Sequence, residues 1–447
     1  MLGQEKIREL VTQVFALSKA DQTEVVITAN DTALTRFANS AIHQNVFESN
    51  AEARVRVVYG KKVGVASTND LTPEGLSRAA GSARVIATLQ PDNPAFTSLP
   101  APAPHQNVQT YVERTANFSP DQRAQAVSVL CKKAKAQGVV AAGAFTTQSF
   151  EVAVANSLGV FAYHPGTLAE MNTVMMADTG SGYAALAHAD ARGINAEAIA
   201  DEAIGKALRA RNPIDLDAGE YTVFLEEYAV VDLLNFLAAL GFSAQAVQEE
   251  LSFMRGKLGE KVMSDNVTIW DDGASAETIA LPFDFEGAPR QKVMLIENGI
   301  ARGVVHDSTT AAKDGVASTG HSLPAPNSWG PFAMHLFMAP GETPKAEMLK
   351  GIARGIWVTR FWYTRTVRPL QMVVTGMTRD GTFLIENGEI TRPVKSFRFT
   401  TSYLDALNRV RAISRETKLF YEDWDGAARC APALVADGFQ FTGVTQF

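Results

Sequence analysis

The seven histidines of this 447-residue chain are the first residues to consider for metal chemistry. No two of them stand four residues apart, the spacing at which one helix face presents two imidazoles to zinc. A site assembled from distant strands stays open, with candidate ligands His306, His321 and His335 and oxygen donors Asp284 and Asp307. We expect that these histidines are not metal ligands and are either exposed or hydrogen-bonded in the interior, because no helical spacing supports a ligand geometry.

Two carboxylates in the stretch Asp284-Phe285-Glu286-Gly287 could line a binding groove. In an extended segment, Asp284 and Glu286 point to the same side. We favour a solvated strand face over a polar groove lining, because no third group fixes an acid–base role. The contiguous His306-Asp307-Ser308 does not indicate a catalytic triad, since triad residues converge from separate segments.

An aromatic and basic cluster lies between residues 357 and 368. Strand alternation would place Arg360 and Trp362 on one side, and Phe361 and Tyr363 on the other. Nucleic-acid stacking is one interpretation, which the acidic chain weakens. A protein interface is better supported by residue type, and an ordinary core with an arginine rim fits the composition equally well. The interface candidates are Trp357, Arg360, Trp362, Tyr363 and Arg365.

Composition limits the class of protein. The chain is 46% hydrophobic and 20% charged, as in ordinary globular proteins, and its formal net charge is −7. The acidic balance disfavours nucleic-acid binding, which needs a surface that neutralises phosphates. The N-terminus lacks the apolar core of a signal peptide, and no 18-residue apolar stretch occurs. We therefore expect a cytoplasmic protein that uses neither a membrane nor a nucleic acid.

The elements that must position these residues alternate between helices and short extended segments. Apolar periodicity and capping signals predict helices at 4–20, from Pro73, at 120–136, and at 195–211. Extended segments at 53–59 and 62–68 are joined by a tight hairpin at Gly60-Lys61, after shorter ones at 24–28, 33–38 and 41–46. Asn212-Pro213 stops the last helix, so we predict domains over 1–212 and 213–447. The fold class is α+β, with largely antiparallel sheets and packed helices.

The second half is predicted to begin with a buried helix over 226–240, followed by another over 244–254. The sequence Leu-Ile-Glu-Asn-Gly occurs at 295–299 and again at 384–388, and each Asn-Gly predicts a type I′ hairpin turn. The Asp-Gly within 376–383 likewise predicts a turn between two strands.

The order of several motifs resembles the TldD/PmbA family, whose members are named as modulators of DNA gyrase and include a metallopeptidase pair. The motifs that carry this resemblance are TRFANSAIHQN at 35–45, TIWDDG at 268–273, DFEGAPRQKVMLIENG at 284–299, HDSTTA at 306–311 and STG at 318–320. The resemblance implies two α+β domains and a dimeric working unit that cleaves small or unfolded peptides. A groove that accepts peptide by strand addition would be lined by Asp284, Glu286, His306, Asp307 and His321.

In the family's zinc-bearing subunit, a His-Glu-x-x-x-His helix precedes the segment similar to 251–260. Aligned without gaps, its metal-binding positions fall on Asn235, Phe236 and Leu240 here. The chain therefore resembles the PmbA, or TldE-like, branch, with no metal or cofactor of its own and no assigned catalytic residue. Zinc would come only through a TldD-like partner subunit.

Two alternatives stay open beside this non-zinc subunit. A second copy of the chain could replace the TldD-like partner, giving a homodimer that binds peptides without cleaving them. The chain could also be a hydrolase with an unrecognised site that involves His306 or Asp307.

Overall fold

The computed structural model describes residues 1–422 and 426–444, and within them the first half of the chain forms a six-stranded antiparallel sheet. Its strand order is β3-β2-β1-β4-β5-β6. The strands are β1 (Gln22–Ala38), β2 (Ala41–Tyr59), β3 (Lys62–Thr68), β4 (Val140–Asn156), β5 (Phe161–Met176) and β6 (Ser181–His188). The register is continuous along β1, β2 and β4, apart from one irregularity after Arg36.

Helices cover one face of this first sheet. They are α1 (Gln4–Leu17), α2 (Pro73–Leu89), α3 (Glu113–Ala116), α4 (Pro120–Ala136) and α5 (Ala196–Arg209). Thr72 caps α2 and Ser119 forms a capping box with Gln122 at the start of α4, because their hydroxyls accept otherwise unpaired N–H groups of the first turn. One apolar cluster joins α1 and α2 to β1 and β2, and a second joins α4 and α5 to β4 and β5.

The second half of the described chain builds a mixed sheet of eleven strands. They are β7 (Gly219–Leu225), β8 (Ile269–Asp271), β9 (Val293–Glu297), β10 (Ile300–Ala301), β11 (His335–Met338), β12 (Arg354–Arg368), β13 (Val373–Glu386), β14 (Glu389–Pro393), β15 (Phe397–Ser402), β16 (Val410–Glu422) and β17 (Ala427–Val444). Most pairings are antiparallel, and the pairs β7–β12 and β11–β17 are parallel.

Four helices accompany this second sheet in the described residues: α6 (Glu227–Leu240), α7 (Ala244–Gln248), α8 (Ser308–Asp314) and α9 (Tyr403–Leu407). Helix α6 belongs to the largest apolar cluster, which it shares with β12, β15 and β17. Helices in the described part of the chain all fall short of the length and apolarity that a bilayer span requires.

The expected α+β class with largely antiparallel sheets is confirmed. Both Asn-Gly turns have the two positive φ angles of a type I′ turn, 50° and 76° at Asn298-Gly299 and 52° and 81° at Asn387-Gly388. Local turn chemistry was sufficient at these positions, because a left-handed pair of residues selects Asn and Gly whatever the tertiary context.

Several predicted boundaries were wrong. The segments at 24–28 and 33–38 are one strand, as are those at 41–46 and 53–59, and the helix predicted to reach 254 ends at Gln248. Asp380-Gly381 does not turn the chain: both have positive φ, yet β13 continues through them. A left-handed pair inside a long strand makes a bulge instead of a hairpin when both flanks keep their neighbours.

Candidate functional site

Three segments predicted to share a groove lie together in the second half of the fold. The Asp284 carboxylate accepts N–H groups from Glu286 and Ala288 at 2.9 Å through Oδ1, and from Ser322 at 2.9 Å through Oδ2. Gly287 completes the turn with a φ of 77°. The expected extended segment with a solvated carboxylate face was wrong, since this is a turn and both acids are buried.

Glu286 joins this turn to the start of α8. Its carboxylate accepts from the Ser308 hydroxyl at 2.8 Å and from the Ser308 N–H at 3.2 Å. Asp307 caps the same helix by accepting from the N–H and the hydroxyl of Thr310, each at 2.7 Å. The Asp307 carboxylate therefore stabilises the first turn of α8, to which Glu286 also binds.

An ion pair from the first sheet closes this cluster from the other side. Glu24 and Arg56 lie opposite each other on β1 and β2 and pair at 2.5 Å, and the Arg56 guanidinium is also 3.6 Å from Glu286. Neither Arg56 nor Glu24 was predicted, because nothing local connects positions so far apart from 284–308. Both alternate with the apolar residues that pack on the helices, so they occupy the strand face where a sequence pattern predicts solvated charges, and no sequence signal marks them.

Burial dominates the electrostatics of this cluster. It raises the pKa of Glu24 to about 7, although Arg56 opposes the rise. Burial, with the nearby Glu286 charge, also raises the pKa of Asp284 to about 7. Arg290 opposes the rise at Asp284 as Arg56 does at Glu24, but burial outweighs both guanidinium groups, so both carboxyl groups exchange protons near neutral pH.

A cleft of about 580 Å³ opens beside these groups. One wall contains Glu286, Asp307 and the loop 322–327, and the other contains Arg56, β3 and the region after α2. Amide and apolar side chains complete the lining, namely Gln90, Asn93, Phe96, Leu323 and Asn327. The cleft therefore combines acidic groups with apolar surface, as sites for peptides and small molecules commonly do.

The remaining predicted residues lie behind the cleft or at its side. His321 is fully buried, with Nε2 2.9 Å from the Asp271 carboxylate and Nδ1 3.0 Å from the Thr319 hydroxyl. His306 is half-buried, and its backbone oxygen accepts from the N–H groups of Thr319 and His321. Asp284 is buried beneath the turn, so Glu286 and Asp307 are the two predicted residues that line the cleft directly.

His335 forms part of the same buried set. Its N–H donates to Asp271 at 2.7 Å, and its Nε2 is 3.1 Å from the oxygen of Ile279. Burial, reinforced by the Arg290 charge, lowers the pKa of His335 to about 3, so the ring is neutral. Throughout 1–422 and 426–444, no three His, Cys, Asp or Glu side chains converge as metal ligands would.

At the three positions aligned with the zinc motif, helix α6 makes side-chain hydrogen bonds and apolar contacts within the fold. The Asn235 amide donates to Glu422 at 3.1 Å and accepts from Arg429 Nε at 2.9 Å. Phe236 packs edge-on against Tyr403 with ring centres 5.6 Å apart, and Leu240 packs on the main apolar cluster. Arg429 is fully buried and also donates to the Met334 oxygen at 2.7 Å.

This arrangement does not fit a zinc ion. Zinc in proteins takes imidazole, thiolate or carboxylate ligands, and these α6 positions offer an amide, a phenyl ring and an isobutyl group. A buried guanidinium beside Asn235 adds a fixed positive charge, which repels a second cation.

The predicted interface residues separate into two groups. Trp357 faces inward and packs on Phe224 with ring centres 4.4 Å apart. Trp362, Tyr363 and Arg365 are exposed, while Arg360 is partly buried against Asp380. The alternation predicted for this strand was wrong after Phe361, because Tyr363 has a φ of 52° in a bulge and points to solvent next to Trp362.

Comparisons with known proteins give one consistent result. The model described as "PmbA/TldA metallopeptidase C-terminal domain" matches residues 218–443, and those for domain 1 and the central domain match 23–87 and 112–211. A metalloprotease TldD homolog from Haemophilus influenzae is 27% identical over 51% of this chain. The matched part covers only 47% of that relative's length. The metalloprotease PmbA of Escherichia coli O157:H7 is 22% identical over 90% of this chain and 89% of its own.

The fold also matches a solved structure. The crystal structure of TldE from Thermococcus kodakarensis superposes with a TM-score of 0.89 over 98% of this chain and 100% of that one, at 22% identity.

Proposed function

The chain belongs to the PmbA/TldD metallopeptidase family, and from that premise we propose that it is the TldE-like subunit without zinc in a dimeric peptidase. In this proposal a TldD-like partner carries the zinc and the hydrolytic chemistry. This chain contributes an interface and part of the surface that holds small or unfolded peptides.

The observation that carries the proposal is the environment of α6. Asn235, Phe236 and Leu240 are each engaged in packing or hydrogen bonds that a zinc site would disrupt. Arg429 binds Asn235 from the interior and is held by two backbone oxygens as well. Inserting a divalent cation there would require the removal of a buried charge that is already hydrogen-bonded.

The cleft supports the second part of the proposal. An extended peptide presents N–H groups, an amino terminus and side chains, which suit a lining of carboxylates, amides and apolar groups. No residue of the cleft is assigned a role in bond cleavage, because each acid in it has a defined hydrogen-bonding or ion-pairing task.

The test is a reconstitution. The chain is purified alone, then mixed with a TldD-like subunit from the same cell, and hydrolysis of an unfolded casein substrate is followed. We expect no turnover by the lone chain and turnover by the mixture that exceeds that of the partner alone. Turnover by the lone chain that is lost on His306→Ala would instead support an independent hydrolase.

A stand-alone peptide-binding protein is the second candidate. It is favoured by the commitment of both cleft acids, Glu286 and Asp307, to hydrogen bonds within the fold, because the cleft then offers a binding surface without a catalytic carboxylate. Peptide binding by a homodimer, unchanged in affinity when a TldD-like subunit is added, would support this candidate over the first.

A further inference from the structure

A second groove lies away from the acidic cleft, where the edge of the first sheet meets β12 and β13. Two cavities, of about 550 and 460 Å³, share Met176, Ser181, Asp380 and Ser396 in their linings, so they form one groove. We call it the junction groove. It follows β13 from Met377 to Thr382, across the bulge at Asp380-Gly381.

Two aromatic side chains form one end of the junction groove. The bulge at Tyr363 makes Trp362 and Tyr363 consecutive exposed residues, at 37% and 65% of full exposure. A positive φ at a tyrosine is strained, and such strain concentrates at functional sites. The result is an aromatic wall beside the apolar side chains of Val174, Met176 and Met377.

Arginines surround that wall. The guanidinium carbons of Arg379 and Arg360 lie 4.7 and 5.1 Å from the Trp362 ring centre. Met377 pairs with Trp362 on one side and with Arg398 on the other, so the three residues lie side by side across the sheet, and Arg398 is exposed. Stacking on tryptophan holds both guanidinium planes in place. Arg360 donates to Asp380, whereas the more exposed Arg379 can present N–H groups to an anion.

The local charge is positive although the whole chain is acidic. Asp380 is buried and already accepts from Arg360 and from the Ser181 hydroxyl, at 2.7 and 2.6 Å. It lies 3.8 Å from Arg379, whose side chain is 47% exposed. One carboxylate thus faces two arginines, with Arg398 in addition, in a chain of net charge −7.

We propose that the junction groove binds an extended acidic segment of another polypeptide, anchored by an apolar side chain against Trp362 and Tyr363. Apolar side chains would fill the floor, and carboxylates would meet Arg379 and Arg398 on the rim. This chemistry is opposite to that of the acidic cleft. The proposal does not depend on a role in a peptidase, so either can fail alone.

The experiment uses fluorescence anisotropy with the full-length chain and a labelled peptide of alternating glutamate and phenylalanine. A peptide with lysine in place of glutamate is the charge control. We expect the acidic peptide to bind at least about tenfold more tightly, with an affinity that falls as salt rises. Equal binding of the two peptides overturns the proposal.

Two exposed variants locate the binding. Arg379→Glu and Trp362→Ala are each expected to weaken the acidic peptide about tenfold or more, as for charges and aromatic anchors at interfaces. Arg302→Glu is the matched control, since Arg302 is similarly exposed at 45% but lies beside β10, at the other end of the second sheet's strand order. It is expected to leave affinity unchanged, and circular dichroism confirms that each variant folds.

Two other occupants are outcomes that overturn the proposal. Tight binding of single-stranded oligothymidylate, lost in Trp362→Ala while the acidic peptide stays unbound, would identify a nucleic-acid platform. A dimer in sedimentation that dissociates in Trp362→Ala, without any peptide binding, would identify a contact between copies of the chain. If Trp362→Ala fails to fold, Arg379→Glu and Arg379→Gln decide the matter.

Discussion

Glu24→Gln should change how the stability of the protein depends on pH. Burial raises the pKa of Glu24 from its ordinary 4.5 to about 7. The folded state therefore keeps a proton that the unfolded chain releases, so the contribution of Glu24 to stability is fully present below pH 4.5 and is lost as pH rises through 7. A difference of about 2.5 pKa units at 1.36 kcal/mol each gives a loss of roughly 3 kcal/mol.

Glutamine cannot ionise, but its amide oxygen can still accept from Arg56. The variant should match the native chain at about pH 4 and exceed its free energy of unfolding by roughly 3 kcal/mol at about pH 8. Urea unfolding followed by circular dichroism at both pH values measures this difference. Glu48→Gln, on the exposed outer half of β2, is the control and should give a profile parallel to the native one.

The reasoning fails if the Glu24→Gln and native profiles are parallel. It also fails if the native chain is the more stable of the two at about pH 8, since Glu24 would then be stabilised as the anion by Arg56 more than burial destabilises it.

Three further predictions concern the buried parts of the fold. Asp271→Asn should cost about 3 kcal/mol in thermal unfolding near neutral pH. Burial would raise the pKa of Asp271, but His321 outweighs it and holds that pKa well below 3.8, so the contribution of Asp271 to stability is lost only as pH falls below that value. An unchanged melting temperature would contradict this prediction. Asn235→Ala should cost about 2 kcal/mol in urea unfolding by removing an acceptor from a buried guanidinium, and a change under about 0.5 kcal/mol would contradict it. Gly64→Ala should destabilise the fold by about 3 kcal/mol, because the added Cβ would lie 2.1 Å from the Ala83 oxygen on α2. Gly81→Ala, on α2 itself, places its Cβ where nothing lies within 4 Å and should stabilise the fold by about 0.5 kcal/mol. Equal melting temperatures of the two variants would refute both predictions.

Local signals in the sequence were enough for much of the fold. The Ser119 capping box, the Thr72 cap and the two Asn-Gly turns each depend on residues within a few positions of one another. Their geometry follows from which side chain can accept an N–H group and which residue tolerates a positive φ. The motif order that indicated the family is likewise a property of the sequence alone.

The cleft could not be assembled from such local rules. Arg56 meets Glu286 only because the first sheet packs on the second half of the chain, a contact between residues 230 positions apart in sequence. Asp284 and Glu286 alternate as in a strand, yet the chain turns there, because Gly287 adopts a positive φ that a strand does not need. The Tyr363 bulge depends on unequal pairing of β12 with β13, which residue types alone do not specify.

Metal analysis of the lone chain tests most directly our proposal that this chain holds no zinc of its own. The chain is expressed with ample zinc, dialysed without chelator and measured by plasma mass spectrometry, with a TldD-like subunit prepared in parallel. We expect stoichiometric zinc in the TldD-like subunit and only trace zinc in this chain. One tightly held zinc per copy of this chain would contradict the account of α6 and the proposed division of labour.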